Sequence, residues 1–168
     1  MAATARLAIV SDTHMPRGSR RLPPACTDAI SRADAVVHAG DFSDRSVLEQ
    51  IATLNPRLTA VHGNVDSAEL HASLPETATL EIAGLRISVI HDAGASKGRL
   101  ARMRRRFPES DAVVFGHSHL PLHRSEDGFQ IFNPGSPTER RRSPKPSFGV
   151  AEVTEGAVRF EIVWIEER

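Results

Sequence analysis

Short apolar runs that end in polar residues recur along the first half of the chain. Residues 7–10, 36–37 and 58–61 form three such runs, and each leads directly into a cluster containing His, Asp, Asn or Gly. An uninterrupted apolar run predicts a strand that is buried on both faces. Between the runs, residues 23–33 have the composition of a short helix, and apolar positions recur at helical spacing over 44–54. The first half is therefore predicted to alternate strands with helices.

The second half of the chain has a different pattern, in which hairpins dominate. Residues 77–82 and 85–90 flank an Ala-Gly pair and predict a β-hairpin. Ser96 is predicted to cap a helix whose apolar stripe ends at Phe107, and a further buried strand is predicted at 112–115. Later hairpin turns are predicted at two pairs ending in Gly, 127–128 and 155–156. The whole pattern predicts the α/β class.

Composition and charge narrow the class of protein. At 168 residues the chain has room for one domain, which we expect to span residues 1–168. The 21 basic and 21 acidic side chains cancel and 40% of the residues are hydrophobic, which argues against a disordered chain and a strongly basic nucleic-acid module. Cys26 is the single cysteine, which excludes an internal disulfide and a thiolate zinc site. No run approaches the roughly 20 apolar residues of a membrane span, so we expect a cytoplasmic protein.

Candidate metal ligands stand at the ends of the predicted strands. Asp12 and His14 are two residues apart after an extended run, a spacing that predicts that both side chains lie on one side. His117 and His119 repeat this spacing. The full set has seven oxygen and nitrogen donors: Asp12, His14, Asp41, Asn64, His91, His117 and His119. Strand ends that are distant in sequence gather at one edge of an α/β sheet. Seven donors exceed the four of a typical zinc site, but they suit two ions that share a bridging carboxylate.

The motifs around these donors occur in a characteristic order along the chain. They are Asp12-Thr13-His14, Gly40-Asp41, Gly63-Asn64-Val65-Asp66, His91, Gly116-His117-Ser118-His119 and Asn133-Pro134-Gly135-Ser136. This ordered set resembles the signature of the calcineurin-like metallophosphoesterases. The Gly-Asn-x-Asp motif, the Asn-Pro-Gly-Ser segment and the chain length are similar to the small bacterial and archaeal phosphodiesterases of the YfcE type. The resemblance covers nearly the whole chain.

The resemblance implies a fold, a metal centre and an activity. The fold is a four-layer α/β/β/α sandwich of two mixed sheets flanked by helices. The implied roles are a first metal ion on Asp12, His14 and His119, a second on Asn64, His91 and His117, and a bridge at Asp41. Asp41, Asn64 and His91 are the implied catalytic residues. The implied reaction is attack of a metal-bound hydroxide on the phosphodiester bond of a small phosphorylated substrate. Mn²⁺ is the first expectation for the ion, and Ni²⁺, Fe or Zn²⁺ also suit these donors.

Two positions depart from the family's pattern. Many relatives place a His directly after the motif Asn, where it protonates the leaving oxygen, and Val65 cannot do this. We therefore expect diesters with good leaving groups to be preferred, with phosphomonoesters as secondary substrates. Asp92 stands where the family usually has Gly, so its carboxylate is expected to hinder the substrate or to contact a metal ion.

Three further polar residues stand beside the proposed ligands or, in relatives, near the metals. His38 and His62 come shortly before proposed ligands, and two interpretations stay open for each. They orient a ligand or contact phosphate, or they serve only the structure. Asn133 is interpreted as a residue that turns its loop and supports the ligands.

Other functions are compatible with parts of this pattern. A retromer subunit of the same fold acts as an interaction scaffold with an impaired site, so a catalytically weak metal-binding scaffold is the alternative function. That subunit departs at ligand positions, whereas this chain retains all seven. Other His-x-His hydrolases, such as metallo-β-lactamases and amidohydrolases, carry the motif early or extended by Asp-His, and here it falls late.

The basic segments bear on partners. Arg140-Arg141-Arg142 either attracts a phosphorylated substrate or forms a solvated loop, and residues 102–106 are expected to be a solvated helix face. Neither segment is interleaved with aromatic residues, so we expect no dedicated nucleic-acid surface. Formation of a homo-oligomer is left open.

Overall fold

Strands dominate the part of the chain that the computed structural model describes, residues 3–166. The strands are β1 (Ala5–Val10), β2 (Ala35–His38), β3 (Leu58–Ala60), β4 (Thr77–Ile82), β5 (Leu85–Ile90), β6 (Ala112–Val114), β7 (Leu122–Glu126), β8 (Phe129–Asn133), β9 (Ser147–Thr154) and β10 (Ala157–Trp164). The helices are α1 (Pro24–Arg32), α2 (Arg45–Leu54), α3 (Ala68–Ser73) and α4 (Arg99–Arg106). None of these helices has the length and apolar character that crossing a membrane requires.

The strands form two five-stranded mixed sheets. The first has the order β10-β9-β1-β2-β3, with parallel pairing from β1 to β3 and antiparallel pairing at β9 and β10. The second has the order β4-β5-β6-β8-β7, with β5, β6 and β8 parallel and an antiparallel strand at each edge. In each sheet the central parallel strands therefore end at the same edge.

Three apolar cores separate four layers of structure. In β1, Leu7 and Ile9 pack in the core between the sheets, while Ala8 and Val10 pack in the core beneath α1 and α2. Both faces of β1 are buried, which explains its uninterrupted apolar sequence. A third core places Met103 of α4 among residues of the second sheet. The predicted four-layer α/β/β/α sandwich is confirmed.

Two helices differ from the sequence-based prediction, one in its start and one in its existence. The structure begins α4 at Arg99 after Gly98, whose φ of +71° is left-handed, and no side chain caps it. The prediction of Ser96 as the cap is therefore wrong, because the chain reverses at Gly98 before the helix begins. Helix α3 was not predicted. Its six residues are too few to display a helical period, although Ser67 caps it by accepting a hydrogen bond from the Leu70 amide.

Candidate metal centre

The proposed ligands lie together where strands of both sheets end. The first sheet supplies four of them from the loops after β1, β2 and β3, and the second supplies three from the loops after β5 and β6. Carboxylate and imidazole donors form two groups, each with its atoms within 4.8 Å of one another: Asp12, His14 and His119, and Asp41, His91 and His117. Asn64 contacts the second group. The predicted gathering of these side chains is present, and their use as metal ligands is taken up below as a proposal.

Left-handed turns, rather than an extended strand, bring these side chains together. The φ angles are +56° at Asp12, +44° at His14, +61° at Asp41, +72° at His117 and +60° at His119. The expectation that an extended run aligns Asp12 with His14 is wrong, because β1 ends before Asp12. A left-handed backbone costs on the order of 1 kcal/mol or more at a residue other than Gly. The surrounding loops must therefore hold these conformations.

The first donor group surrounds one buried carboxylate. Asp12 Oδ1 lies 3.4 Å from His119 Nε2 and 3.8 Å from His14 Nε2, and the two imidazole nitrogens are 3.1 Å apart. Asp12 Oδ2 accepts hydrogen bonds from Ser11 Oγ at 2.7 Å and from the His117 amide at 3.1 Å. Asp12 Oδ1, by contrast, is buried and has no hydrogen-bond partner. The side chain is thus fixed through one oxygen, and the other faces the imidazoles.

The second donor group includes the side-chain oxygen of Asn64. His91 Nδ1 donates a hydrogen bond to the Ala39 carbonyl at 2.7 Å, which fixes the ring. His91 Nε2 then lies 3.0 Å from Asn64 Oδ1 and 3.2 Å from Asp41 Oδ2. His117 Nδ1 lies 3.1 Å from the same Asn64 oxygen. Asn64 and His117 are exposed, so this group borders the open side of the site.

Asp41 lies between the two groups. Its Oδ2 is 3.6 Å from His14 Nε2 of the first group and 3.2 Å from His91 Nε2 of the second. Its Oδ1 accepts a hydrogen bond from the Val65 amide at 3.0 Å. One oxygen is therefore held by the backbone, and the other faces both groups.

The electrostatics of the site favour charged carboxylates beside charged imidazole. Burial would raise the pKa of the Asp12 carboxyl, but the adjacent imidazoles of His119, His14 and His91 hold it well below its usual range. Burial likewise opposes ionisation of Asp41, and the hydrogen bond from His91 outweighs it and lowers the pKa of Asp41. Burial of the His91 ring opposes its protonation, yet the hydrogen bond to Asp41 and the two carboxylate charges raise the pKa of His91 to about 9. The site thus favours cations.

Two glycines of the motifs permit close approach between loops. A Cβ atom at Gly63 would overlap the Asp41 side chain, and one at Gly116 would overlap Ser11 Oγ and approach Asp12 Oδ2 to 2.7 Å. Either methyl group would displace a proposed ligand. The Gly-Asn and Gly-His pairs of the motifs therefore have a steric origin.

Asp66 joins the loops that carry the second group, and the sequence analysis assigned it no role. Its Oδ2 accepts hydrogen bonds from the amides of Gly63 at 2.7 Å and Asp41 at 3.0 Å, and its Oδ1 accepts one from the Ser43 amide at 2.8 Å. The loops after β2 and β3 are thus held on one buried carboxylate. The Asp at the end of the Gly-Asn-x-Asp motif could have indicated this role, because Asp side chains commonly accept hydrogen bonds from the backbone amides of turns.

His38 acts within the structure rather than at the surface. It is fully buried, its ring stacks on Phe42, and burial lowers its pKa to about 3. Its Nδ1 accepts a hydrogen bond from the Gly40 amide at 3.1 Å, which leaves the proton on Nε2 facing Thr13 Oγ1 at 3.2 Å. A fully buried ring cannot reach a substrate phosphate. His38 therefore links the loop after β1 to the loop after β2.

Asn133 supports the loop that carries the His-x-His pair. Its Nδ2 donates hydrogen bonds to the Gly116 carbonyl and to Ser118 Oγ, both at 3.1 Å, and its Oδ1 accepts one from the Gly135 amide at 2.9 Å. All its side-chain polar atoms are thus used in holding loops. The interpretation of Asn133 as a loop-turning and supporting residue agrees with these contacts.

The remaining residues singled out in the sequence border the second group. His62 packs against His71 of α3 with ring centroids 4.1 Å apart, and both line a cavity of about 200 Å³ together with Asp92. The Asp92 carboxylate accepts a hydrogen bond from the Gly94 amide at 2.8 Å and belongs to neither donor group of the described residues. Val65 is partly exposed beside Asn64 and offers only an apolar side chain.

Comparison with known proteins agrees with this architecture. A model of the calcineurin-like phosphoesterase superfamily domain matches residues 6–156. A probable metallophosphoesterase of Methanothermobacter thermautotrophicus is 30% identical over 159 residues, 94% of this chain and 91% of that protein. A phosphodiesterase of Methanocaldococcus jannaschii is 24% identical over 143 residues, 77% of this chain and 82% of that protein. Vacuolar protein sorting 29 of Cryptosporidium parvum superposes with a TM-score of 0.77 at 19% identity, over 98% of this chain and 99% of that one. The chain belongs to the calcineurin-like phosphoesterase superfamily.

Proposed function

We propose that this chain is a phosphodiesterase that uses two divalent metal ions. The proposed ligands are Asp12, His14 and His119 for the first ion, Asn64, His91 and His117 for the second, and Asp41 for both. The position of Asp41 carries this proposal, because its Oδ2 lies within 3.6 Å of an imidazole nitrogen from each donor group. A carboxylate in this position can bridge two adjacent ions. The relative from Methanocaldococcus jannaschii, a phosphodiesterase by name, supports a diester as the substrate.

The buried polar atoms of the site fit metal ions. Asp12 Oδ1 has no hydrogen-bond partner, although the Nε2 atoms of His14, His91 and His119 lie 3.4–4.0 Å from it. A buried carboxylate oxygen left unpartnered costs on the order of 1–3 kcal/mol. A cation among these nitrogens would supply the missing partner. Mixed imidazole and oxygen donors suit Mn²⁺, which we propose first, and also Ni²⁺, Fe or Zn²⁺.

The surrounding residues define what the site can do. Divalent ions bound there would activate water and stabilise negative charge on a phosphoryl group. Asn64 and His117 face solvent and leave room for a phosphate group beside the second donor group. Asp41, Asn64 and His91 are the proposed catalytic residues, because they would hold the second ion beside this open face, where Asn64 is exposed. Val65 offers no proton to the leaving oxygen, so diesters of acidic phenols are the preferred substrates.

Hydrolysis of bis(p-nitrophenyl) phosphate tests this function. Protein stripped with a chelator is assayed alone and with Mn²⁺, Ni²⁺, Mg²⁺ or Zn²⁺ returned separately. Turnover is expected only with added metal, and Asp41→Asn is expected to lower kcat/KM by about 100-fold or more, because the shared carboxylate loses its charge. Asp28→Asn on the exposed face of α1 removes the same charge and serves as the matched control.

The opposite result has a definite meaning. Stoichiometric metal binding without turnover for any of the four ions would overturn the enzymatic function. The metal-binding interaction scaffold would then be the better description. Equal loss of activity in Asp41→Asn and Asp28→Asn would instead remove Asp41 from its proposed role.

A further inference from the structure

Positive charge is concentrated in two segments beside the first donor group. Residues 16–22 and 137–146, here called the arginine loops, contain six arginines, one lysine and one acidic residue. The arginines are Arg17, Arg20, Arg21, Arg140, Arg141 and Arg142. Because the whole chain has no net charge at pH 7, this concentration is a local property.

The arginine loops are built onto the proposed metal ligands. The Arg17 amide donates a hydrogen bond to the His14 carbonyl at 3.3 Å, so the first loop turns directly away from this ligand. The Glu139 carbonyl lies 3.3 Å from His119 Nδ1, so the second loop contacts another ligand. Arg20 joins the two loops through an ion pair with Glu139 at 3.3 Å. The two loops therefore contact the proposed ligands through their backbones and are joined to each other beside them.

Three of the seven cations form no ion pair within the described residues, whereas Lys145 is paired with Glu166 at 2.6 Å. Glu139 is the single carboxylate within the loops, and Arg20 and Arg141 share it at 3.3 Å and 3.8 Å. Arg20 Nη1 is buried and has no hydrogen-bond partner. Arg17, Arg21 and Arg142 are exposed and form no ion pair within residues 3–166. Such a cluster attracts anions, and guanidinium groups bind phosphate with two parallel hydrogen bonds.

The opposite side of the site has a different character. The cavity beside the second donor group is lined by His62, His71, Glu76 and Asp92 and contains no arginine or lysine. The lining of this cavity therefore supplies no fixed positive charge, and the nearby Arg106 is paired with Glu76 at 3.4 Å. The arginine loops contain no aromatic residue, so they offer charge without a surface on which a base could stack.

We propose that the arginine loops bind a second phosphate group of the substrate. The substrate class is then a small phosphodiester that carries a further phosphate on the side of the first donor group. This inference rests on the proposed phosphodiesterase function and specifies its substrate.

A matched pair of substrates isolates the effect of the second phosphate. Thymidine 5′-(p-nitrophenyl phosphate) and its 3′-phosphorylated derivative release the same phenol and differ in one phosphate group. In 50 mM salt the wild-type protein with Mn²⁺ is expected to have a kcat/KM about tenfold higher for the 3′-phosphorylated compound, mainly through a lower KM. The ratio is expected to fall towards one in 500 mM salt, because exposed charges are screened.

Two triple variants with equal charge change assign the effect to the loops. The test variant removes three exposed arginines of the loops: Arg17→Gln, Arg21→Gln and Arg142→Gln. The control removes three exposed arginines elsewhere, at the end of α1, before β3 and on α4: Arg32→Gln, Arg57→Gln and Arg105→Gln. The ratio of kcat/KM values is expected to fall below about twofold in the test variant and to stay near the wild-type value in the control.

Binding to the metal-free protein provides a readout that is independent of turnover. By calorimetry, thymidine 3′,5′-bisphosphate is expected to bind wild type and control about tenfold more tightly than the test variant. Equal kcat/KM for the two substrates in wild type would overturn the inference while leaving the phosphodiesterase function in place. Absence of turnover with both substrates would remove the proposed function itself. A thymidine decamer that binds more than 100-fold tighter than the bisphosphate would replace the small substrate with a nucleic-acid strand.

Discussion

At the scale of single residues, Asp66 fixes the loops that carry the proposed ligands Asp41 and Asn64, although it is not itself a proposed ligand. Its two oxygens accept three backbone hydrogen bonds from the loops after β2 and β3, which carry Asp41 and Asn64. Side chains of this kind orient metal ligands, and their loss typically weakens metal binding 10–100-fold. The position of Asp41 between the two donor groups therefore depends on a residue outside both.

Asp66→Asn is expected to impair both stability and metal binding. An amide in this place turns an NH₂ group towards at least one backbone N–H, so a buried donor loses its acceptor. We expect the free energy of unfolding to fall by about 2 kcal/mol and Mn²⁺ affinity to fall about tenfold, as measured by denaturant unfolding and calorimetry. Asp111→Asn is the control, because Asp111 accepts a bond from the Arg86 amide away from the site. Unchanged Mn²⁺ affinity in Asp66→Asn would contradict the positioning role.

The pKa of His91 predicts how metal binding depends on pH. In the metal-free protein the pKa of His91 is raised to about 9, so at pH 7 the ring carries a proton that an incoming ion must displace. Affinity for Mn²⁺ is therefore expected to rise by up to tenfold per pH unit from pH 7 and to level off above about pH 9. Titration calorimetry in two buffers of different ionisation enthalpy counts the released protons. Affinity that is flat between pH 7 and pH 9 would show that no such proton is displaced.

At the scale of helices and strands, the sequence predicts what local burial and local turns decide. The strands β1, β2 and β6 were predicted because their apolar runs pack on both faces, and the β4–β5 hairpin has the predicted bounds. The pairing of β9 with β1 could not be predicted from the sequence, because it joins residues more than a hundred positions apart. The position of the ligands at the strand ends was predicted. The left-handed turns that orient their side chains were not, because single residues of positive φ produce no periodic pattern in the sequence.

Helix α4 includes one arginine whose role differs from the solvated face expected of residues 102–106. The Arg102 guanidinium donates hydrogen bonds to the carbonyls of Ala93, Ala95 and Lys97, in the loop that follows His91. Five donors in a fixed planar group suit several carbonyls of one loop. This loop is therefore held on α4.

Arg102→Gln is expected to loosen the loop after His91. A glutamine is shorter and has two donors, so most of these carbonyls lose their partner. Amide hydrogen exchange of residues 94–98 is expected to accelerate about tenfold, since each tenfold step corresponds to about 1.4 kcal/mol of lost local stability. Arg105→Gln, on the exposed surface of the same helix, should leave this exchange unchanged. Equal exchange in both variants would mean that the loop is held by other contacts.

At the scale of the whole molecule, the proposed metal centre joins the two sheets. Four ligands come from loops of the first sheet and three from loops of the second. Each donor group combines residues from both sheets, since His119 joins Asp12 and His14 while Asp41 joins His91 and His117. Metal ions bound there would therefore connect the two halves of the sandwich at one edge.

Bound metal is consequently expected to stabilise the entire fold. An ion at 100 times its Kd adds about 2.7 kcal/mol when it binds the folded state alone, which corresponds to a rise in Tm of about 8 °C for a chain of this size. Calorimetric melting with and without Mn²⁺ measures the shift, and Asp41→Asn should show a smaller one. A shift below about 1 °C at saturating Mn²⁺ would contradict this connection between the sheets.

The left-handed turns place a conformational cost on the proposed metal ligands. Five proposed ligands occupy backbone conformations that Gly adopts without cost and that Asp and His adopt at a cost of about 1 kcal/mol or more. At each position a metal donor requires a side chain, whereas the positive φ angle favours Gly. Exchange of one of these side chains for Gly would remove the strain together with the proposed metal donor. Each of the five turns therefore combines a metal-donor side chain with a backbone conformation that favours Gly.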